Sequence, residues 1–209
     1  MISPVKKEVI KPPALKAGDK IAIVSPAGPP VPESLEQGVR LLREHGFKVE
    51  IGSHVLSRNG YLAGSDDERV QDLNNAIRDR DVRGIICSRG GYGSSRILSR
   101  IDYAALADHP KIIVGFSDIT AVLNAVYART GLICFHGPMM SGIASSPWSF
   151  NQLLSQVTGK DGYPLKWSYP PDSDKPVFNT PAGTVAAVQG RSMGGCLSIL
   201  STLCGTPWI

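Results

Sequence analysis

From Lys20 to Leu123 short apolar runs alternate with segments of helical period, and this alternation restricts the fold more than any other property of the chain. Lys20-Ile21-Ala22-Ile23-Val24-Ser25 is a β-type run, and Pro26-Ala27-Gly28-Pro29-Pro30 stops it with a loop that no helix tolerates. Between Ser34 and His45 the residues Leu35, Val39, Leu41 and Leu42 fall at near-helical spacing; Gly46 ends the pattern and Phe47–Ile51 alternates as a strand. Asp66–Asp79 reads as a helix with Val70, Leu73 and Ile77 on one face, and Val82–Ser88 as the next strand. A helix-like segment through Ile97 and Leu98 leads to a further strand at Ile112. Strands separated by helices pair in parallel, and the crossover helices cover both faces of the sheet. The expected fold class is therefore α/β, a Rossmann-like parallel sheet with helices on both faces. Ligands of such sheets gather beyond the carboxyl ends of the strands, where Gly91 and Ser117 both fall.

The composition changes after that domain. Ser145 to Thr180 is rich in Pro, Ser, Trp and Tyr and contains Pro170-Pro171-Asp172-Ser173-Asp174-Lys175-Pro176, which is linker chemistry. The expected division is a nucleophile-bearing domain over 1–165, a linker over 166–182, and over 183–209 the start of an incomplete β-rich C-terminal domain. In the last part Gly183–Val188 reads as a strand and Cys196–Leu203 as a capped apolar helix ending at Gly205. About thirty residues are too few to close a core, since chains below roughly 40 usually need disulfides, metals or a partner. The apolar helix is thus expected to dock on the first domain, pair with another copy, or be disordered.

A net charge of +4 with 19% charged residues, the lysines and arginines scattered, gives no case for nucleic acid and makes a small-molecule partner the default. Cys87, Cys134, Cys196 and Cys204 stand singly in apolar company, with no CxxC, and read as buried thiols of a reducing compartment rather than zinc ligands. No apolar run approaches the roughly 20 residues of a membrane span. The expectations are a cytoplasmic protein with no membrane partner and no zinc site.

Chemistry concentrates in Lys111-Ile112-Ile113-Val114-Gly115-Phe116-Ser117-Asp118-Ile119-Thr120, an apolar strand that turns at once into a helical pattern. A serine on such a turn has its Oγ exposed, with neighbouring N–H groups pointing the same way, so Ser117 is the candidate nucleophile. Ser and Asp before an apolar helix are also ordinary N-cap residues, and Ile119 stands where the lipase-type pattern has glycine. Arg89-Gly90-Gly91-Tyr92-Gly93-Ser94 reads in three ways: a phosphate cradle without a complete fingerprint, a loop that brings a backbone amide beside Ser117, or a tight strand-to-helix turn. Gly90, Tyr92 and His136 are candidates for the substrate cleft. His136 reads as a base or as a structural hydrogen-bonding residue. His45, His54 and His109 have no evident acidic orienter, which leaves a nucleophile without an evident base.

Five motifs in order carry a resemblance: Ser25-Pro26-Ala27-Gly28; Arg89-Gly90-Gly91-Tyr92-Gly93; Gly115-Phe116-Ser117-Asp118-Ile119-Thr120; His136-Gly137-Pro138-Met139; and Gly194-Gly195 with Leu197-Ser198 and Gly205-Thr206-Pro207. Together they resemble the serine LD-carboxypeptidases, which include muramoyltetrapeptide carboxypeptidases and microcin C immunity peptidases. The resemblance implies a Rossmann-like domain carrying the serine, a β-rich domain carrying a glutamate and a histidine, a homodimer, and no metal or organic cofactor. It implies hydrolysis of the amide between an L-centre and a terminal D-amino acid, such as D-alanine of a murein tetrapeptide in peptidoglycan recycling. Ser117 would attack, and the N–H groups of Gly91 and Asp118 would hold the oxyanion. The sequence departs from the family by ending before the region of its glutamate and histidine, so the expectation is a truncated form, inactive alone. The competing expectations are a peptide-binding or regulatory protein, a microcin-type immunity peptidase fragment, a hydrolase in which His136 reaches Ser117, and a nucleotide-binding protein.

Overall fold

The computed structural model describes residues 8–160 and 193–209. Five parallel strands form one sheet: β1 (Lys20–Val24), β2 (Lys48–Ile51), β3 (Val82–Cys87), β4 (Ile112–Gly115) and β5 (Phe135–His136), in spatial order β2-β1-β3-β4-β5. The chain runs outward from β1 to β2, then crosses back to the other side of β1 to lay down β3. The connections leaving β1 and β3 therefore run to opposite sides of the sheet, and the carboxyl ends of these two strands mark the switch point of a doubly wound sheet.

Helices cover both faces, as alternation along the strands requires. Ile21 and Ile23 of β1 face a cluster with Leu35, Val39 and Leu42 of α1 (Pro32–Glu44) and with Phe150, Leu153 and Val157 of a later helix. Ala22 and Val24 face the opposite cluster, built on α2 (Asp66–Arg78), α3 (Tyr103–Asp108) and α4 (Thr120–Thr130). Each isoleucine so buried is worth roughly 1.5–3 kcal/mol of hydrophobic stabilisation. Helix α2 starts with a reciprocal capping box, Ser65 accepting from Glu68 N–H while the Glu68 carboxylate accepts from Ser65 N–H.

Three local expectations are corrected. First, within the stretch read as linker-like, Pro147–Thr158 forms a helix, α5, because Ser146 caps it, Pro147 occupies its first turn and Phe150, Leu153 and Val157 share one buried face. The strand expected at 183–188 and the linker at 166–182 lie outside the described residues. Second, the segment through Ile97 and Leu98 is a 3-10 helix, Ser94–Arg100, which buries both side chains. Third, the cysteines are not uniformly buried: Cys87 is, Cys134 and Cys196 are half-buried, and Cys204 faces solvent just past the last helix, all four as free thiols.

That last helix, α6 (Leu197–Leu203), docks on α4, with Leu203 and Ile199 joining the core beneath it. Trp208 beyond it stacks on Tyr103, ring centroids 6.1 Å apart, and the Arg129 guanidinium lies over both rings. Of the three fates expected for this apolar helix, docking on the first domain is the one observed.

Candidate active site

Strand β4 ends at Gly115, Phe116 continues it in extended conformation, and Ser117 then turns sharply into a short 3-10 turn (Ser117–Ile119) that runs directly into α4. Ser117 has φ 59°, and among the described residues no other non-glycine residue has positive φ. The left-handed region costs an L-residue about 1–2 kcal/mol, so the surrounding packing holds this turn against its own preference. Gly115 makes the turn possible: a Cβ there would lie 2.3 Å from Ile119 Cγ2. Ser117 is half-buried, and its Oγ takes no hydrogen bond from any described residue.

The glycine loop after β3 closes one side of this turn. A Cβ at Gly90 would fall 2.8 Å from Ser117 Cβ, 3.1 Å from its Oγ and 3.4 Å from the Asp118 nitrogen, so only glycine fits. Gly91, at φ +117°, packs instead toward the backbone of Gly28, whose N–H donates to the Gly90 carbonyl at 3.0 Å. Asp118 is buried, and its carboxylate accepts the Ser94 N–H at 2.9 Å while its carbonyl accepts the Ser94 hydroxyl at 2.7 Å. The two loops that flank Ser117 are thereby latched together.

His136 emerges at the end of β5, paired in register with Gly115. Its ring meets Phe116 edge-on at 5.0 Å, and its Nε2 lies 3.5 Å from the Thr120 hydroxyl. Although much of the residue is open to solvent, the protein around its ring lowers its pKa from the ordinary value by desolvation. It makes no hydrogen bond to Ser117. None of the chain's four histidines does: His45 bonds the Leu41 carbonyl, His109 the Arg80 carbonyl, and His54 the Asp72 carboxylate at 2.9 Å. His54 does therefore have an acidic orienter, contrary to expectation, but it belongs to the loop after β2 rather than to the serine. Tyr92 meets Tyr61 edge-on, ring centroids 5.7 Å apart.

A serine thus stands at positive φ on a strand-to-helix turn against close-packed glycines, and residues 21–137 match the family model for the LD-carboxypeptidase N-terminal domain. The chain belongs to the LD-carboxypeptidase family. It is 36% identical over 205 residues to a probable murein peptide carboxypeptidase of Bacillus subtilis, a match covering 95% of this chain and 60% of the relative. It is 34% identical over 188 residues to the murein tetrapeptide carboxypeptidase of Pseudomonas aeruginosa, covering 90% of this chain and 61% of the relative. The microcin C7 self-immunity protein MccF in complex with aspartyl sulfamoyl adenosine superposes with TM-score 0.83 at 27% identity, over 96% of this chain and 67% of that one. The chain thus spans somewhat under two thirds of the curated relatives' length.

Two features around this turn were not anticipated from sequence: a buried arginine, and the contact that the Gly194-Gly195 motif makes. Arg69 is fully buried on α2, and its guanidinium donates to the Pro26 carbonyl, to the Gly93 carbonyl at 2.9 Å and to Asp66. It pins the loop after β1 to the loop after β3, leaving only its Nε without a partner. The sequence signal was faint: an arginine one position from Val70 in a helix otherwise obeying its amphipathic pattern. Gly195 is the second feature. At φ +143° it lies so close to α4 that a Cβ would be 2.3 Å from Thr120 Cγ2, and the adjoining Cys196 N–H donates to the Thr120 hydroxyl at 3.1 Å. The Gly194-Gly195 motif thereby contacts the first turn of the helix that Ser117 introduces.

Proposed function

We propose that this chain carries the nucleophile of a serine LD-carboxypeptidase that hydrolyses the amide between an L-centre and a terminal D-amino acid, releasing D-alanine from a murein tetrapeptide in the cytoplasm. The observation that carries the reading is Ser117, the non-glycine residue held at positive φ on the turn between β4 and α4. Ser117 Oγ bonds to the scissile carbonyl carbon as its proton passes to a base. The N–H groups of Gly91 and Asp118 stabilise the oxyanion, the C–N bond breaks with proton return to the departing amine, and water then hydrolyses the ester. The substrate class comes from the murein peptidases that the chain resembles, and the acceptor for the Ser117 proton is none of the four histidines as placed. We accordingly expect the 209-residue chain to be inactive alone, since a triad nucleophile without its base loses orders of magnitude in rate. In the longer protein that the relatives' lengths suggest, a histidine and a glutamate from a β-rich domain complete the triad, and two copies pair as a homodimer.

The test is D-alanine release from a murein tetrapeptide by the protein isolated from its native source, with its intact mass measured in the same preparation. Release that Ser117→Ala abolishes supports the reading; release untouched by that substitution overturns it. A second reading is favoured by the isolation of Ser117 Oγ: a peptide-binding protein that keeps the cleft without the chemistry. Calorimetric binding of the tetrapeptide by a native 209-residue protein, with no turnover, selects it.

A further inference from the structure

The loop after β3 does more than approach Ser117. Gly90 touches the nucleophile turn, and the next residue, Gly91, lines a separate concavity of about 230 Å³ together with Pro29, Arg58, Tyr61, Arg89 and Tyr92. Consecutive Cα atoms are about 3.8 Å apart, so the glycine that touches Ser117 and the glycine in the wall of the concavity are immediate neighbours. Adjoining sites of this kind suit the two ends of one terminal amino acid. In a peptide whose last amide is attacked, the free carboxylate carbon is three bonds from the scissile carbonyl carbon.

The concavity is lined by two arginines without a carboxylate partner, a property that Arg40, Arg43, Arg83 and Arg129 share elsewhere among the described residues. Arg69, Arg78, Arg80, Arg96 and Arg100 are each paired with an aspartate. Arg58 and Arg89 meet no carboxylate among the described residues, and no acidic side chain lines the concavity. Arg89 spends one donor on the Pro29 carbonyl at 3.1 Å, which fixes its stem and leaves the rest of its fork free. Tyr61 and Tyr92, edge to face at 5.7 Å, wall the same space with half or more of each ring exposed. Two unpaired guanidinium groups in one aromatic-walled concavity match a planar anion that can be held bidentately, which a carboxylate is.

We propose that Arg58 and Arg89 form the subsite for the free α-carboxylate of the departing terminal amino acid, and that this subsite restricts the enzyme to the chain end. The proposal rests on the peptidase reading of Ser117, and it assigns the two arginines to binding, not to chemistry. A phosphate is the other anion that two arginines could take; the planar shape of the carboxylate, and a wall that adjoins the glycine touching Ser117, favour the carboxylate.

The experiment is nuclear magnetic resonance titration of the 209-residue protein with acetyl-D-alanine, acetyl-D-alaninamide and inorganic phosphate, following the arginine side-chain and Gly91–Tyr92 backbone signals. Acetyl-D-alanine should shift these signals with affinity on the order of 10- to 100-fold above the amide, the range expected for a charge-assisted hydrogen bond. Arg58→Met should erase most of that preference and Arg58→Lys restore part of it; Arg58 is exposed, so neither substitution threatens the fold. Equal response to acid and amide, no response to either, or phosphate binding as tightly as the acid overturns the subsite. The peptidase reading fails separately, by absence of Ser117-dependent D-alanine release, and that result does not alter the titration.

Discussion

At the scale of single residues, the site is a set of close approaches that only particular side chains permit. Ser117 sits in a backbone conformation that glycine would occupy with less strain, so Ser117→Gly should raise stability by about 0.5–1 kcal/mol while removing the proposed nucleophile. Gly90→Ala should cost about 1–3 kcal/mol, because the new methyl meets Ser117 Cβ at 2.8 Å and the turn must move. The two substitutions share that contact and so are not additive. Urea denaturation of both single variants and the double variant checks this: the cost of Gly90→Ala should fall measurably in the Ser117→Gly background, and an unchanged cost would mean that the strain of the alanine lies elsewhere. The turn at Ser117 was legible in the sequence because a strand, a glycine and a serine before a helix form a local pattern. Arg69 was not, because its partners Pro26 and Gly93 are 43 and 24 residues distant and a single arginine carries no periodicity.

Among the elements, the central strands and α1, α2 and α4 were readable because their burial follows a period of two or of 3.6 residues. Helix α3 was not, being a single short element whose start depends on Asp102 accepting from Ala105 N–H. Helix α5 was hidden by a composition resembling that of linkers, although Ser146, Pro147 and Gly159 mark its two ends in the expected places. What periodicity could not convey is how neighbouring loops are joined, and there Arg69 makes a second prediction. Arg69→Met keeps the volume inside α2 but orphans the Pro26 and Gly93 carbonyls, which should cost about 1–3 kcal/mol. Hydrogen exchange should quicken in both loops, at 26–28 and 90–94, with less change in the sheet. Exchange accelerated equally throughout would show a general loss of stability and argue against a specific pin between the two loops.

Across the whole molecule the sheet separates two kinds of charge. The carboxyl ends carry the glycine loops and the serine, whereas the opposite end holds an ionic cluster in which Lys20 bonds Asp79 and Glu50, and Lys111 Nζ donates to the Asp79 and Val82 carbonyls, each at 2.7 Å. The hydrogen bond from Lys20, then that from Asp81 N–H, holds Asp79 below the usual carboxylate range, so its contribution is present above about pH 4 and is lost as pH falls further. Lys111 acts in the other direction: its side chain is fully buried, and desolvation lowers its pKa to about 8, against the attraction of Asp79. Between about 8 and its ordinary 10.5 the unfolded chain holds a proton on this lysine that the native protein has released, so its effect on stability becomes more favourable as pH rises through that window. Burial of Cys87, which pushes its thiol up to about 12, works in the opposite sense once the unfolded thiol ionises above about pH 9. The decisive quantity is therefore the difference in unfolding free energy between the wild type and Lys111→Met, measured by denaturation at pH 7, 8 and 9. Substitution leaves two carbonyls without their donor at every pH, which sets the level of that difference, and only the titration of Lys111 gives it a slope. The difference should move toward the wild type as pH rises. A flat difference would mean that the two carbonyl acceptors hold the buried ammonium charged throughout, outweighing desolvation, and that the cluster beneath the sheet is ionic at every pH at which the protein is folded.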